Sequence, residues 1–223
     1  MQRLELVHDW LARQFPGQPL SVAPASADAS FRRYFRITFD DGQTRIVMDA
    51  PPEHEDCRPF VHVAGLLHEA GVHAPEILAQ DLERGLLLLT DLGSTTYLDA
   101  LDASNADVLF RDALDALVKW QLASRPDALP PYDEALLRRE LNLFPDWYVA
   151  RHLGSPLTAP QQEVLEQVQA LLLQNILAQP RVFVHRDYMP RNLMVCEHNP
   201  GVLDFQDAVH GPISYDVASL FRD

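Results

Sequence analysis

The sequence predicts an α+β fold of two lobes: a small antiparallel sheet with helices over residues 1–92, then a mainly helical region over 93–223. Three observations predict it. Two apolar stretches, 31–48 and 76–90, each fold back at a turn, Asp40-Asp41-Gly42 and Glu83-Arg84-Gly85. Past Leu92-Gly93 the apolar spacing becomes helical through 96–124 and 133–153. Short apolar runs then return at 182–184, 193–196 and 202–205, parted by polar clusters.

Leu4, Val7, Leu11 and Phe15 recur at helical spacing until Pro16-Gly17 ends the first helix. Residues 23–30 are small and read as a loop. Residues 31–39 and 44–48 are the strands of the first hairpin, and Pro51-Pro52 breaks the pattern. A helix over 60–70 turns Val63, Leu66 and Leu67 inward and stops at Gly71. The second hairpin follows at 76–80 and 86–90, with a hinge between lobes near 90–95. In the second lobe Pro145 kinks or divides the helical stretch, and Thr158 with Gln161 makes a capping-box pattern ahead of the apolar run 164–177. Pro180 closes that helix. A last helix starts near Ile213 and is still running at Asp223.

With 47% hydrophobic and 22% charged residues in 223, the chain has the balance of a folded globular protein and not of a disordered one. Eighteen basic against 32 acidic residues give a formal charge of −14, which argues against nucleic-acid or anionic-membrane binding. No apolar run is long enough to span a bilayer, and the start lacks a secretory apolar core, so a cytoplasmic location is expected. Cys57 and Cys196 are too few for a disulfide framework or a cysteine zinc site and are expected to be reduced thiols. Of the 18 basic residues only Lys119 is a lysine.

The stretch that carries chemistry is 182–216. It holds His185-Arg186-Asp187, then Asn192 five residues after the aspartate, then Asp204-Phe205. This order suits phosphoryl transfer, which asks a protein for positioning and charge neutralisation more than for covalent work. Asp187 can accept the proton of an attacking hydroxyl. Asn192 and Asp204 offer hard oxygen ligands of the kind Mg²⁺ shares with phosphate oxygens. The eleven residues between those two contain two short strands and a turn, so a hairpin can bring both to one end. Tyr97, Trp120, Trp147 and Tyr148 could stack on a sugar, but at helical spacing they read first as core.

Residues 185–192 and 204, extended by Val202-Leu203-Asp204-Phe205-Gln206-Asp207-Ala208, Gly211-Pro212 and Tyr215-Asp216-Val217-Ala218-Ser219-Leu220, resemble the catalytic and metal-binding segments of aminoglycoside-phosphotransferase-like kinases, relatives of the protein kinases. More narrowly, residues 28–36, 48–52 and 185–192 resemble the anomeric sugar kinases of bacterial cell-wall recycling. The resemblance implies a two-lobed protein-kinase-like fold using ATP and Mg²⁺. It implies a phosphorylated anomeric hydroxyl of N-acetylmuramate or N-acetylglucosamine, and a structural role for Asp216 in bracing the catalytic loop. Thr90, Asp91 and Leu92 would then present backbone groups to adenine. Two other readings stay open: another small-molecule kinase, such as an aminoglycoside phosphotransferase, and a non-catalytic nucleotide-binding scaffold. Family members usually continue with further helices, so a C-terminally truncated chain is expected. The sequence leaves the oligomeric state undetermined.

The family's glycine-rich loop and strand lysine are both missing. Residues 25–30 contain no glycine, and Met48 stands near the lysine position. The remaining candidates for the phosphates are backbone N–H groups up to Ser30 and the arginines of the first hairpin, whose forks match phosphate oxygens. Alternation puts Arg32 and Arg36 on one face and Arg33 on the other, with Phe31, Phe35 and Ile37. The more apolar face is expected to pack inward, which ranks Arg33 first, Arg36 second and Arg32 last.

Overall fold

The computed structural model describes residues 2–27 and 31–222. In chain order it holds α1 (Gln2–Gln14), β1 (Leu20–Ala27), β2 (Arg33–Phe39), β3 (Thr44–Asp49), α2 (Arg58–Glu69), β4 (Ile77–Asp81), β5 (Leu86–Thr90), α3 (Tyr97–Ala100), α4 (Ala106–Leu122) and α5 (Glu134–Leu141). A π-helix (Phe144–His152) leads to α6 (Ala159–Leu177), β6 (Arg181–Val184), a 3₁₀ turn (Pro190–Asn192), β7 (Leu193–Met194), β8 (Gly201–Val202), β9 (Val209–Pro212) and α7 (Tyr215–Arg222). Contacts divide the chain into two compact units, residues 1–119 with 190–207 and residues 120–189 with 208–223. This division differs from the 92/93 boundary expected from the change in apolar spacing, because residues 93–119 and 190–207 both belong to the first unit.

In the first unit a five-stranded antiparallel sheet runs in the order β1-β2-β3-β5-β4. The two hairpins expected from sequence are its centre. The strand β1 was read as a loop. Its Ala, Ser and Pro residues have weak strand propensity, and it forms because it is an edge strand, where Pro24 is tolerated and the register shifts between Pro24 and Ser26. One face of the sheet, Phe35, Ile37, Val47, Leu86 and Leu88, packs under Val7, Trp10 and Leu11 of α1. The alternate residues Met48, Leu87 and Leu89 are buried too, so the sheet is covered on both faces. The β4–β5 turn depends on Gly85. It has φ +67°, and a Cβ there would lie 1.8 Å from the Ala50 carbonyl oxygen, while the Gly85 carbonyl accepts from the Ala50 N–H at 2.8 Å.

The β7–β8 hairpin is tied to the rest of this unit by backbone bonds, Val195 N–H to Thr95 oxygen at 2.9 Å and Val202 N–H to His73 oxygen at 2.8 Å. In the second unit β6 pairs with β9, a strand the sequence reading did not register, and Val184 and Val209 share a core with Tyr132, Leu137 and Leu173. The Thr158–Gln161 capping box opens α6 as expected, and Pro145 lies in the π-helix. Both cysteines are free thiols.

Candidate active site

In the second unit β6 ends in a loop that begins with His185. Asp216, fully buried at the start of α7, accepts the His185 N–H at 2.7 Å and the Arg186 N–H at 3.0 Å, one on each carboxylate oxygen. This fixes a turn in which Arg186 takes φ +79°, a left-handed conformation that a non-glycine side chain adopts only under such constraint. Burial pushes the Asp216 carboxyl up to about 7, with the Asp187 charge adding to the rise and the two N–H bonds pulling against it. The Arg186 guanidinium bonds Glu140 of α5 at 2.5 Å, and Glu140 also accepts the Tyr132 hydroxyl. Asp187 follows, half-buried, its N–H donating to the Nδ1 of the buried His185 at 3.2 Å. The edge of the His185 ring also meets Tyr188.

In the first unit the hairpin closes as its length predicts. The Leu203 N–H donates to the Asn192 carbonyl at 2.9 Å. The Asn192 amide then reaches Asp204 at 3.5 Å. Asp204 has φ +60° and a side chain 40% exposed, open to an incoming ion. Gln206 was not singled out from sequence. Its Nε2 donates to Asp204 at 2.9 Å and to Asp207 at 3.3 Å, while its Oε1 is buried with no partner. Phe205 is buried against Phe60 of α2. An amide, a carboxylate and an unsatisfied amide oxygen are hard donors, and this set fits Mg²⁺ bound jointly with phosphate oxygens. Among the described residues no group of three or more His, Cys, Asp or Glu side chains forms a metal cage.

The strand β2 starts at Arg33, so Phe31 and Arg32 precede it, and Phe31, expected to pack inward, is 61% exposed. Within β2, Arg33 and Arg36 fall on opposite faces as alternation predicts, but the apolar face is the one under α1. Arg33, on that face, pairs with the buried Asp49, which Arg3 of α1 also binds. Arg3 reaches on to the Arg84 carbonyl, so this cluster ties α1 to the sheet. Arg36, on the other face, forks onto Asp91 at 2.6 and 3.0 Å and bonds the Gly93 carbonyl at 2.7 Å. Burial would raise the Asp91 carboxyl, and the Arg36 fork with the Gly93 N–H outweighs it, holding the group below the usual range. Arg32, ranked last from sequence, is the arginine of the three that the structure places beside Asp204, at 3.9 Å. Leu92 is half-buried beside Gly201 of β8, where a Cβ would come within 2.8 Å of its side chain. Ser30 lies outside the described residues. Tyr97 and Trp120 are core, as read, whereas Trp147 and Tyr148 are half exposed, with Arg151 stacked on Trp147 at 3.9 Å.

Two loops built in this order, one fixing an aspartate after His-Arg and the other pairing an asparagine with the aspartate of Asp-Phe, are the arrangement that the sequence pattern leads one to expect of a phosphotransferase. Residues 21–223 match the phosphotransferase enzyme family, and the chain belongs to it. It is 62% identical to the N-acetylmuramate/N-acetylglucosamine kinase of Pseudomonas aeruginosa over 92% of this chain and 60% of that protein. It is 45% identical to the protein of the same name from Neisseria meningitidis, over 100% of this chain and 67% of the other. The chain thus spans about three fifths of the length of the two curated Pseudomonas relatives it matches. In fold it resembles a crystal structure of the aminoglycoside phosphotransferase APH(2'')-Ib with ADP bound, at 14% identity and a TM-score of 0.64, covering 95% of this chain and 73% of that one. It also resembles the choline kinase LicA of Streptococcus pneumoniae, at 13% identity and a TM-score of 0.69, covering 99% and 74%. The fold is therefore the protein-kinase-like one expected from the catalytic segments.

Proposed function

We propose that the protein phosphorylates the anomeric hydroxyl of N-acetylmuramate and N-acetylglucosamine with ATP, in the cytoplasm, as part of peptidoglycan recycling. The observation that carries the reading is the 62% identity, over 92% of the chain, to a kinase named for those two sugars. In this proposal residues 1–92 form the nucleotide-binding part and 93–223 the helical part with the catalytic and metal-binding loops. Ser30, Asp91 and Leu92 contribute to nucleotide binding, with Arg36 holding Asp91 in place and Arg33 anchoring the strand.

Asp187 is the catalytic residue. It takes the proton the sugar hydroxyl loses as the oxygen bonds to the γ-phosphorus and the bond to ADP breaks. Asp216 and Glu140 position it by fixing the turn on which it sits. Asn192 and Asp204 hold Mg²⁺, and Gln206 fixes the carboxylate of Asp204. When bound, the ion neutralises phosphate charge and orients the nucleotide. No helix of the described residues is long and apolar enough to cross a membrane.

The test is ADP release on a panel of N-acetylmuramate, N-acetylglucosamine and aminoglycosides, with the product identified by phosphorus NMR. A sugar 1-phosphate supports the reading. An aminoglycoside as the one acceptor assigns the chain to its drug-modifying relatives, and nucleotide binding without turnover on any acceptor marks a scaffold.

A further inference from the structure

Asn192 and Asp204 stand at the base of a hairpin too short to hold itself. Its strands β7 and β8 are two residues each, and a lone two-stranded ribbon is marginal even when longer. Where the base lies therefore depends on what grips the hairpin from outside. The β7 side is held by the Val195 N–H on the Thr95 carbonyl at 2.9 Å, and the β8 side by the Val202 N–H on the His73 carbonyl at 2.8 Å. His73, half-buried in the loop between α2 and β4, also reaches the hairpin turn with its side chain. Its Nδ1 lies 2.8 Å from the His198 carbonyl and 3.4 Å from the Cys196 sulfur. A carbonyl oxygen only accepts, so Nδ1 carries the proton and donates it.

Resting on the metal reading above, we propose that His73 is a positioning residue for the metal site, setting the tilt of the hairpin and through it the placement of Asn192 and Asp204. A single bond at the β8 edge leaves a pivot, and a second one at the turn fixes an orientation. The turn itself is braced from within, the Cys196 N–H donating to the Asn199 side chain at 2.9 Å and the thiol lying 3.4 Å from the His198 carbonyl. It therefore passes a displacement on to the strands rather than absorbing it. Beside the turn lies a cavity of about 270 Å³, lined by His73, His198 and, from α4, Asp112, Asp115 and Lys119. With that space at its side, the turn has room to move once the imidazole bond is gone. At the other end the Leu203 N–H closes the base on the Asn192 carbonyl at 2.9 Å, and the Asn192 amide stands 3.5 Å from Asp204. Mg²⁺ demands near-ideal geometry from its oxygen ligands, and partners behind the ligands tune its affinity. A change of hairpin tilt is felt there, whereas a ligand that uses no metal does not sense it.

Calorimetry of ADP binding over a range of Mg²⁺ concentrations, with adenosine as the ligand that has no phosphates, tests this on the full chain without turnover. His73→Ala removes the donor and keeps the backbone bond to Val202. It is expected to need roughly three- to tenfold more Mg²⁺ for half-maximal ADP binding, with adenosine affinity unchanged. His73→Asn, whose amide N–H falls where Nδ1 stands, is expected to restore the parental requirement. A parental Mg²⁺ requirement in His73→Ala, an equal loss for adenosine, or no rescue by His73→Asn overturns the assignment. If ADP binding by the parent does not respond to Mg²⁺, the metal reading itself falls and takes this one with it. Should His73→Ala fail to fold, His73→Gln is read in its place against the same expectation, since it keeps the bulk but carries its N–H beyond the Nδ1 position.

Discussion

The buried carboxylate of Asp216 gives the sharpest test of how the catalytic turn is held. Each of its oxygens accepts one backbone N–H, from His185 and from Arg186. Asp216→Asn keeps the shape but replaces one acceptor with an NH₂ donor, so one N–H faces another donor inside the protein. Leaving a buried donor without an acceptor costs about 1–3 kcal/mol. For a chain of this size that lowers Tm by roughly 2–12 °C. The pH dependence has a defined sign. The Asp216 carboxyl is pushed up to about 7 in the folded protein, from an ordinary value of 3.8. The folded state therefore binds this proton more tightly than the unfolded state. The stability it contributes is full below pH 4 or so and is lost as pH rises through about 7, at no more than about 1.4 kcal/mol per pH unit. Asparagine does not titrate. The advantage of the parent over Asp216→Asn is then largest near pH 5 and shrinks towards pH 8. Urea unfolding of both proteins at pH 5, 6, 7 and 8 measures it. A difference below about 0.5 kcal/mol at pH 5 would refute the two-bond account. A difference that widens between pH 6 and 8 would refute the sign.

Other substitutions separate chemistry from binding and from architecture. Asp187→Asn should lower kcat by roughly 10²–10⁴ with ADP affinity nearly unchanged, as steady-state kinetics and calorimetry would show; near-normal turnover removes Asp187 from the mechanism. Asp204→Ala should abolish Mg²⁺-dependent ATP binding and Asn192→Ala should weaken it, measured by titration with and without Mg²⁺. If Asp204→Ala binds like the parent, the metal assignment is wrong. Arg36→Gln strips the fork from Asp91, whose side chain is 4% exposed, and should cost about 1–3 kcal/mol, the partial exposure of Arg36 keeping it below the figure for a fully buried pair. Because Asp91 is held below its ordinary pKa, its contribution is present above pH 4 or so and is lost as pH falls further. The deficit of Arg36→Gln should therefore narrow in acid, and a deficit that grows there would count against the ion pair.

How much of this was legible in the sequence follows from which interactions are local. Hairpins such as β2–β3 announce themselves through turn residues and alternation, and the spacing from Asn192 to Asp204 is a hairpin length, so their meeting at 3.5 Å could be read without coordinates. The edge strand β1 and the short β9 could not, since each forms by pairing with a neighbour rather than by its own propensity. The arginines show where local reasoning stops. Alternation assigns Arg33 and Arg36 to opposite faces correctly, but which face α1 covers cannot be read from β2 itself. That helix is set by Val7, Trp10 and Leu11 packing onto Phe35, Ile37 and Val47, a tertiary contact with no signature at residue 33. An apolar face marks burial, and burial under a helix excludes a phosphate as firmly as a cleft would admit one. The face away from α1, although Met48, Leu87 and Leu89 bury part of it, is therefore the one to search for nucleotide contacts, and Gln206 is likewise legible only in three dimensions. Its orphaned Oε1 has meaning only beside Asp204, whose left-handed backbone turns its carboxylate towards both Asn192 and Arg32.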